Sequence, residues 1–95
     1  MPISRTIVAS NDAQRLLRTL SNHWRHRFAV RSDSESHAHI PFAEAAGADF
    51  EVEGQTLAIR VVHDDGAGLA GLREVIESHL QRFARDETLA FDWRS

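Results

Sequence analysis

The chain has 95 residues, of which 42% are hydrophobic and 26% are charged, and this balance predicts one globular domain spanning residues 1–95. It contains no cysteine, which excludes disulfides, thiolate metal sites and a cysteine nucleophile. No apolar run approaches the roughly 18 residues of a membrane helix, and residues 1–9 lack the apolar stretch of a secretory signal. By elimination we expect a cytoplasmic protein that does not act at a membrane.

The charge is unevenly distributed along the chain. All 11 basic residues are arginines, and the net charge is −3. Residues 1–31 carry six arginines and one acid, whereas the remainder carries five arginines and thirteen acids. A basic first third favours an anionic partner; the alternative is that the two parts neutralise each other across the fold. Because the arginines are few and interleaved with acids, we do not expect a nucleic acid partner.

The first third predicts a strand followed by a helix. Residues 4–9 form a short β-branched run that is typical of a strand. Asp12 and the two polar residues before it supply a helix N-cap. Apolar residues then recur at three- and four-residue steps to near His26, as on one face of a helix. These apolar positions are Ala13, Leu16, Leu17, Leu20 and Trp24.

The middle of the chain predicts strands separated by short turns. Phe28 and Val30 share one side of a strand, and residues 32–36 read as a polar turn. Residues 38–42 alternate between apolar and polar side chains, which favours a half-buried strand, and Pro41 indicates an edge or a bulge.

A hairpin, a second helix and a last strand complete the prediction. Residues 50–53 and 57–62 alternate on either side of Gly54, as in a hairpin. Asp64, Asp65 and Gly66 begin the second helix, whose apolar stripe is Leu69, Leu72, Ile76, Leu80 and Phe83. Alternation in residues 89–94 then predicts the final strand.

This series predicts an α+β fold with the order β-α-β-β-β-β-α-β. Two amphipathic helices need an apolar surface to cover, and each strand offers one apolar face. The economical arrangement is a single antiparallel sheet with both helices packed on one face. The other face is then exposed and mixed in charge, with Asp49, Glu51, Glu53, Arg60, Asp92, Arg94, His37 and His39.

Six histidines are the chemically most informative feature of the sequence. His23 and His26 stand three residues apart on the first helix, and His79 occupies a comparable rim position on the second. If the helices lie side by side, these rims meet. Three imidazoles from two helices suit a divalent metal with an open position for water or substrate. We therefore take His23, His26 and His79 as candidate metal ligands.

Structural roles are the alternative for each of these histidines. His23 and His79 fit equally well as rim residues hydrogen-bonded to a carbonyl or carboxylate, and His26 as a cation near a helix C-terminus. His37 and His39 share one strand face and also offer a chelating pair, although a solvated surface explains them.

No motif for nucleophilic catalysis is present, since the sequence has neither a Gly-x-Ser-x-Gly elbow nor a His-Glu-x-x-His run. The glycines of residues 66–71 superficially match a dinucleotide fingerprint but lack the parallel βαβ context. They fit better as sites of close helix packing, and the sequence assigns no cofactor.

Three segments resemble a known bacterial family. Residues 12–27, with the pattern Asp-Ala-x-Arg-x-Leu-x-x-Leu-x-x-His-Trp-x-His-Arg, resemble the opening of the family called domain of unknown function 2218. Residues 40–42, Ile-Pro-Phe, resemble its short Phe-Pro-Phe strand, and residues 79–87, His-Leu-x-Arg-Phe-Ala-Arg-x-Glu, its terminal helix motif. Family members commonly carry a cysteine where this chain has Ser21 and Asn22, which argues against a thiolate role.

The resemblance implies a compact α+β fold similar to half of a TATA-binding-protein-like unit. It also implies an association with siderophore-interacting flavin reductases, beside which related domains occur, and hence with iron handling. Its motifs include His23, His26, His79 and Arg82.

These observations favour a small non-enzymatic binding or accessory protein, associated with iron or siderophore metabolism. Its predicted contact site is a groove between the helices, where Arg27 and Arg82 bind a small anionic ligand or a protein partner beside the three histidines. Two alternatives stay open: a metal-dependent enzyme that uses His23, His26 and His79 to activate water, and a structural module that forms a homodimer through the sheet.

Overall fold

A five-stranded antiparallel sheet is the framework of the protein, and the computed structural model describes residues 2–94. The strands are arranged in the order β1-β5-β4-β3-β2. The elements in chain order are β1 (Ile3–Ala9), α1 (Ala13–Trp24), β2 (Arg31–Ser34), β3 (His37–Ala43), β4 (Ala46–Glu53), β5 (Thr56–His63) and α2 (Gly66–Phe83). Neither of the two helices in residues 2–94 has the length and apolar character needed to cross a bilayer.

Strand alternation places the core on one face of the sheet, because successive side chains point to opposite sides. Val8, Phe50 and Ile59 are fully or almost fully buried on the covered face. On the open face, Arg5 lies opposite Arg60 on the neighbouring strand, and Asp49 lies opposite His39. The β4–β5 hairpin turns at Gly54, whose φ of 59° lies in the left-handed region that favours glycine.

Both helices pack on the covered face, as the two apolar stripes predict. α1 buries Leu16, Leu20 and Trp24, and α2 buries Ile76 and Leu80. Each such side chain contributes roughly 1.5–3 kcal/mol when it is withdrawn from water. The α+β class, the single antiparallel sheet and the element order through α2 are therefore confirmed.

Acidic side chains cap the two helices. Asp12 Oδ1 accepts a hydrogen bond from the amide of Arg15 at 3.2 Å, and Asp65 Oδ2 accepts one from the amide of Gly68 at 2.9 Å. The ring of His63 lies directly against Gly68, where a Cβ atom would collide with it. Close packing thus explains this glycine of the run 66–71.

One predicted strand lies elsewhere. Phe28 and Val30 belong to the connection after α1, because their amides bond locally to the carbonyls of Trp24 and Phe28 and not to a neighbouring strand. The strand at this place, β2, is instead the polar segment Arg31–Ser34, which the sequence predicted as a turn. It pairs with β3 at the edge of the sheet, where a solvated strand needs no apolar face. The bulge predicted at Pro41 is present between Pro41 and Ala43.

The last predicted strand is reduced to one bridge, between Arg5 and Arg94. Two hydrogen bonds to side chains hold this segment: the amide of Asp92 donates to Thr6 Oγ1 at 3.1 Å, and Trp93 Nε1 donates to Glu77 Oε2 at 2.6 Å. These bonds hold the segment beside β1 and α2 without a continuous ladder.

Candidate functional site

The rims of the two helices meet at a pair of histidines. The ring centroids of His23 on α1 and His79 on α2 are 5.1 Å apart, which agrees with the position that helical spacing gave each residue. His23 is exposed and His79 is half-buried. The pair therefore lies at the surface, with one ring open to solvent.

Aromatic side chains support this pair from the core side. The ring of Trp24 lies 5.0 Å from that of His79, and the ring of Phe83 lies 5.6 Å from that of His23. Trp24 in turn packs edge-on against Phe42 at 4.9 Å. Because Trp24 is buried, the backbone that carries His23 is anchored in the core.

The charge around the pair is positive. The pKa of His23 lies below its ordinary value, first because its neighbours partly desolvate the ring, and then because of His79, Arg82, His26 and Arg27. Each of these groups disfavours a further positive charge on the ring. We call these five residues, His23, His26, His79, Arg27 and Arg82, the histidine patch.

His79 has one ring nitrogen fixed by the backbone. Its Nδ1 lies 2.8 Å from the carbonyl oxygen of Val75, one turn earlier in α2. Since a carbonyl only accepts, Nδ1 carries the hydrogen and Nε2 is left as the free acceptor. This bond is the one that a structural role for His79 predicts, and it is also the arrangement that orients histidine ligands of metals.

The structure places the remaining residues of the patch after α1 and on α2. His26 and Arg27 follow the end of α1 and are exposed, as is Arg82. The guanidinium carbon of Arg27 lies 6.0 Å from the ring centroid of Phe28. Within residues 2–94, no three His, Asp or Glu side chains are grouped so as to hold a metal ion. The metal site at His23, His26 and His79 therefore stays a prediction.

The open face of the sheet carries a second arrangement of histidines. His37 Nδ1 lies 2.8 Å from Asp33 Oδ1, and His39 Nδ1 lies 2.8 Å from Asp49 Oδ1. Asp49 also faces His37 Nε2 at 3.8 Å and Arg60 at 3.8 Å. The bond from His37 lowers the pKa of Asp33. We call these five residues the sheet-face network.

Sequence reasoning placed His37, His39 and Asp49 on one exposed face but treated them as solvated. The signal it lacked was the strand register, which sets His39 directly opposite Asp49. Alternation fixes the face of each residue, whereas its partner on the next strand depends on the pairing. The packing of Trp24 and Phe83 against the histidine pair was missed for a similar reason, because it depends on how the helices meet.

The comparisons with known proteins agree with the fold and its motifs. A family model described as "Uncharacterized protein conserved in bacteria", domain of unknown function 2218, matches residues 5–94. The chain belongs to this family. The family resemblance given by residues 12–27, 40–42 and 79–87 is thus confirmed.

A solved structure has the same fold. The NMR structure of PA4090 from Pseudomonas aeruginosa aligns with a TM-score of 0.81 and 26% sequence identity, over 99% of this chain and 96% of that chain. A search of functionally curated proteins gave no match.

Proposed function

We propose that the protein is a small non-enzymatic binding or accessory protein and that the histidine patch is its contact site for an anionic ligand. The observation that carries the proposal is the position of Arg27 and Arg82 near the paired rings of His23 and His79, whose centroids are 5.1 Å apart. Guanidinium groups bind carboxylates, phosphates and similar oxyanions through paired hydrogen bonds. An anion at this place would relieve the repulsion among the cations.

The geometry supports a ligand with a flat anionic group. His23 offers an exposed ring face beside Phe83, and Arg82 and Arg27 lie nearby on α2 and after α1. Stacking on these rings would add to the charge interaction. The backbone that carries His23 is fixed in position, because the neighbouring Trp24 side chain is buried in the core.

The ligand that we propose is an anionic iron chelate of the siderophore type. Two considerations support it: the association of the family with siderophore-interacting flavin reductases, and the match between an aromatic oxyanion and a cationic, ring-lined patch. The association with flavin reductases describes where related domains occur and says nothing about the histidine patch itself. The experiment therefore tests whether such a chelate binds at the patch.

The experiment is an NMR titration of the histidine ring signals with the gallium complex of a tricatecholate siderophore, which is diamagnetic. We expect the signals of His23 and His79 to shift together, and those of His37 and His39 to stay in place. Titration with unchanged signals of His23 and His79 would exclude the patch as the contact site.

A matched pair of variants sharpens the result. Arg82→Gln is expected to weaken binding roughly tenfold, because it removes a charge-assisted contact. Arg85→Gln removes the same charge one turn further along and is expected to leave affinity unchanged. Equal effects of the two substitutions would indicate nonspecific attraction to the arginines at the C-terminal end of α2 and would contradict the proposal.

One observation favours a metal-dependent enzyme as a second candidate. His79 has its Nδ1 occupied by the carbonyl of Val75, and its ring centroid lies 5.1 Å from that of His23. Since no three His, Asp or Glu side chains are grouped to hold a metal ion in residues 2–94, His26 would have to move toward His23 and His79 to place three imidazole nitrogens at about 2.0–2.1 Å from a zinc ion. We expect Zn²⁺ to shift all three ring signals together in this case, whereas a response of fewer than three would reject the three-histidine site.

A further inference from the structure

A groove runs between α1 and the edge strand β2, away from the histidine patch. It is a cavity of about 420 Å³. Cavities of roughly 300–1,000 Å³ accommodate small organic ligands. Leu17 and Ser21, both buried, form its floor.

The helix wall of the groove is basic and amide-rich. Gln14, Arg18, Asn22 and Arg25 follow one another at steps of three and four residues, which places them on one face of α1 and its C-cap. Among residues 2–94, Arg18 forms no ion pair with a carboxylate, and neither does Arg25, whose guanidinium donates to Asn22 Oδ1 at 3.3 Å. Two arginine side chains thus face the groove with their charges unneutralised by an ion pair.

The strand wall has the opposite character. Asp33 and Glu35 supply carboxylate oxygens, of which Asp33 Oδ1 is already bonded to His37 Nδ1 at 2.8 Å. Ser32 and Ser34 supply hydroxyl groups, and the Ser32 hydroxyl donates to the carbonyl oxygens of Ser34 and His37, so that its oxygen is available as an acceptor. Glu35 Oε2 already accepts a hydrogen bond from Gln14 Nε2 at 3.0 Å, across the groove, which leaves its second oxygen as an acceptor. The two walls therefore offer cationic donors on one side and acceptors for hydroxyl groups on the other.

We propose that this groove binds a phosphorylated sugar or polyol. The phosphate lies against Arg18 and Arg25, because guanidinium pairs bind phosphate oxygens. The hydroxyl groups of the ligand donate to the carboxylates of Asp33 in β2 and of Glu35 just after it, and the serine oxygens accept further hydrogen bonds. A dianion without hydroxyl groups would meet Asp33 and Glu35 as repulsive neighbours, so the ligand needs both halves. This site is independent of the ligand proposed for the histidine patch.

The test is a titration of ¹⁵N-labelled protein with glucose 6-phosphate and ribose 5-phosphate, read from backbone amide shifts. We expect shifts along the groove face of α1 and in β2, with little change at His23 and His79. Glucose alone and inorganic phosphate alone are expected to bind at least roughly tenfold more weakly than the sugar phosphates.

Two exposed arginines on the same helix give the matched variants. Arg18→Gln is expected to weaken binding of the sugar phosphate roughly tenfold. Arg15→Gln removes an arginine that pairs with Asp12 at 3.4 Å outside the groove and is expected to have no effect. The proposal is overturned if neither sugar phosphate shifts these amides at millimolar concentration, if inorganic phosphate binds equally well, or if the two variants behave alike.

Discussion

The protein presents two histidine pairs on opposite sides of its sheet, and their surroundings differ in kind. His23 and His79 lie on the helix side, 5.1 Å apart, with arginines and aromatic rings as neighbours. On the open face, His37 and His39 each have a carboxylate at 2.8 Å from Nδ1. The same residue type is thus held by packing against the core in one place and by hydrogen bonds to acids in the other.

This difference is the reason why we propose the histidine patch, and not the sheet-face network, as the contact site. A carboxylate next to an imidazole satisfies its charge internally, so the sheet-face network needs no further partner. In the histidine patch, arginines and imidazoles lie together without a carboxylate partner among residues 2–94. Positive charges in such an arrangement repel one another, and a bound anion would offset this repulsion. Our proposal therefore rests on the local charge balance and not on the number of histidines.

The largest effect is expected where the histidine patch joins the core. Trp24 is only 3% exposed, so Trp24→Ala is expected to lower the free energy of unfolding by about 3–5 kcal/mol through the cavity it leaves. Ile7 on the open face is 70% exposed, and Ile7→Ala is expected to change it by less than about 0.5 kcal/mol. Urea unfolding of both variants measures the contrast, and similar losses would show that the two faces are equally anchored.

A smaller loss is expected on the sheet face. Asp49 holds His39 through a bond between partly exposed groups, so Asp49→Ala is expected to cost about 1 kcal/mol. Asp92→Ala removes an aspartate whose pair with Arg94 is 79% exposed on both sides and is expected to cost less than about 0.5 kcal/mol. If urea midpoints for Asp49→Ala and Asp92→Ala coincide, the sheet-face network does not contribute to stability.

The smallest effect concerns protonation of His23. Because its pKa is lowered on folding, the unfolded chain binds this proton more readily, and stability falls as the pH drops below about 6.5. Arg82→Gln removes one cation and is expected to raise the pKa of His23 toward its ordinary value. An NMR pH titration of the ring measures this change, with Arg85→Gln as the control that leaves the titration in place.

The same direction of pH dependence, at lower pH, is expected on the open face. The pKa of Asp33 is lowered by its bond to His37, so this carboxylate stabilises the fold above its unfolded pKa and the contribution is lost as the pH falls through the lowered value. His37→Gln is expected to move the carboxyl titration of Asp33 upward in an NMR pH series. If the pKa of Asp33 is the same with and without the His37→Gln substitution, His37 is not the cause of the lowered pKa.

The sequence was sufficient for the parts of the fold that follow from a repeating pattern. Apolar steps of three and four residues predicted α1 and α2, a β-branched run predicted β1, and alternation predicted the strands around Gly54. Residues 28–34 were predicted incorrectly because the apolar Phe28 and Val30 pack on the core without forming a strand, while the polar β2 pairs at the sheet edge. An apolar side chain indicates that a residue is buried. It indicates a strand as well only where the buried residues lie inside a sheet.

For the candidate sites, the sequence by itself determined which residues lie on which face, and hence that His23 and His79 occupy helix rims while His37 and His39 share an exposed strand face. Only the tertiary structure decided their partners: the approach of α1 to α2 pairs His23 with His79, and the register of β3 and β4 sets His39 against Asp49. The physical reason is that periodicity is a local property of each element, whereas the charge balance of a site depends on contacts between elements distant in the chain.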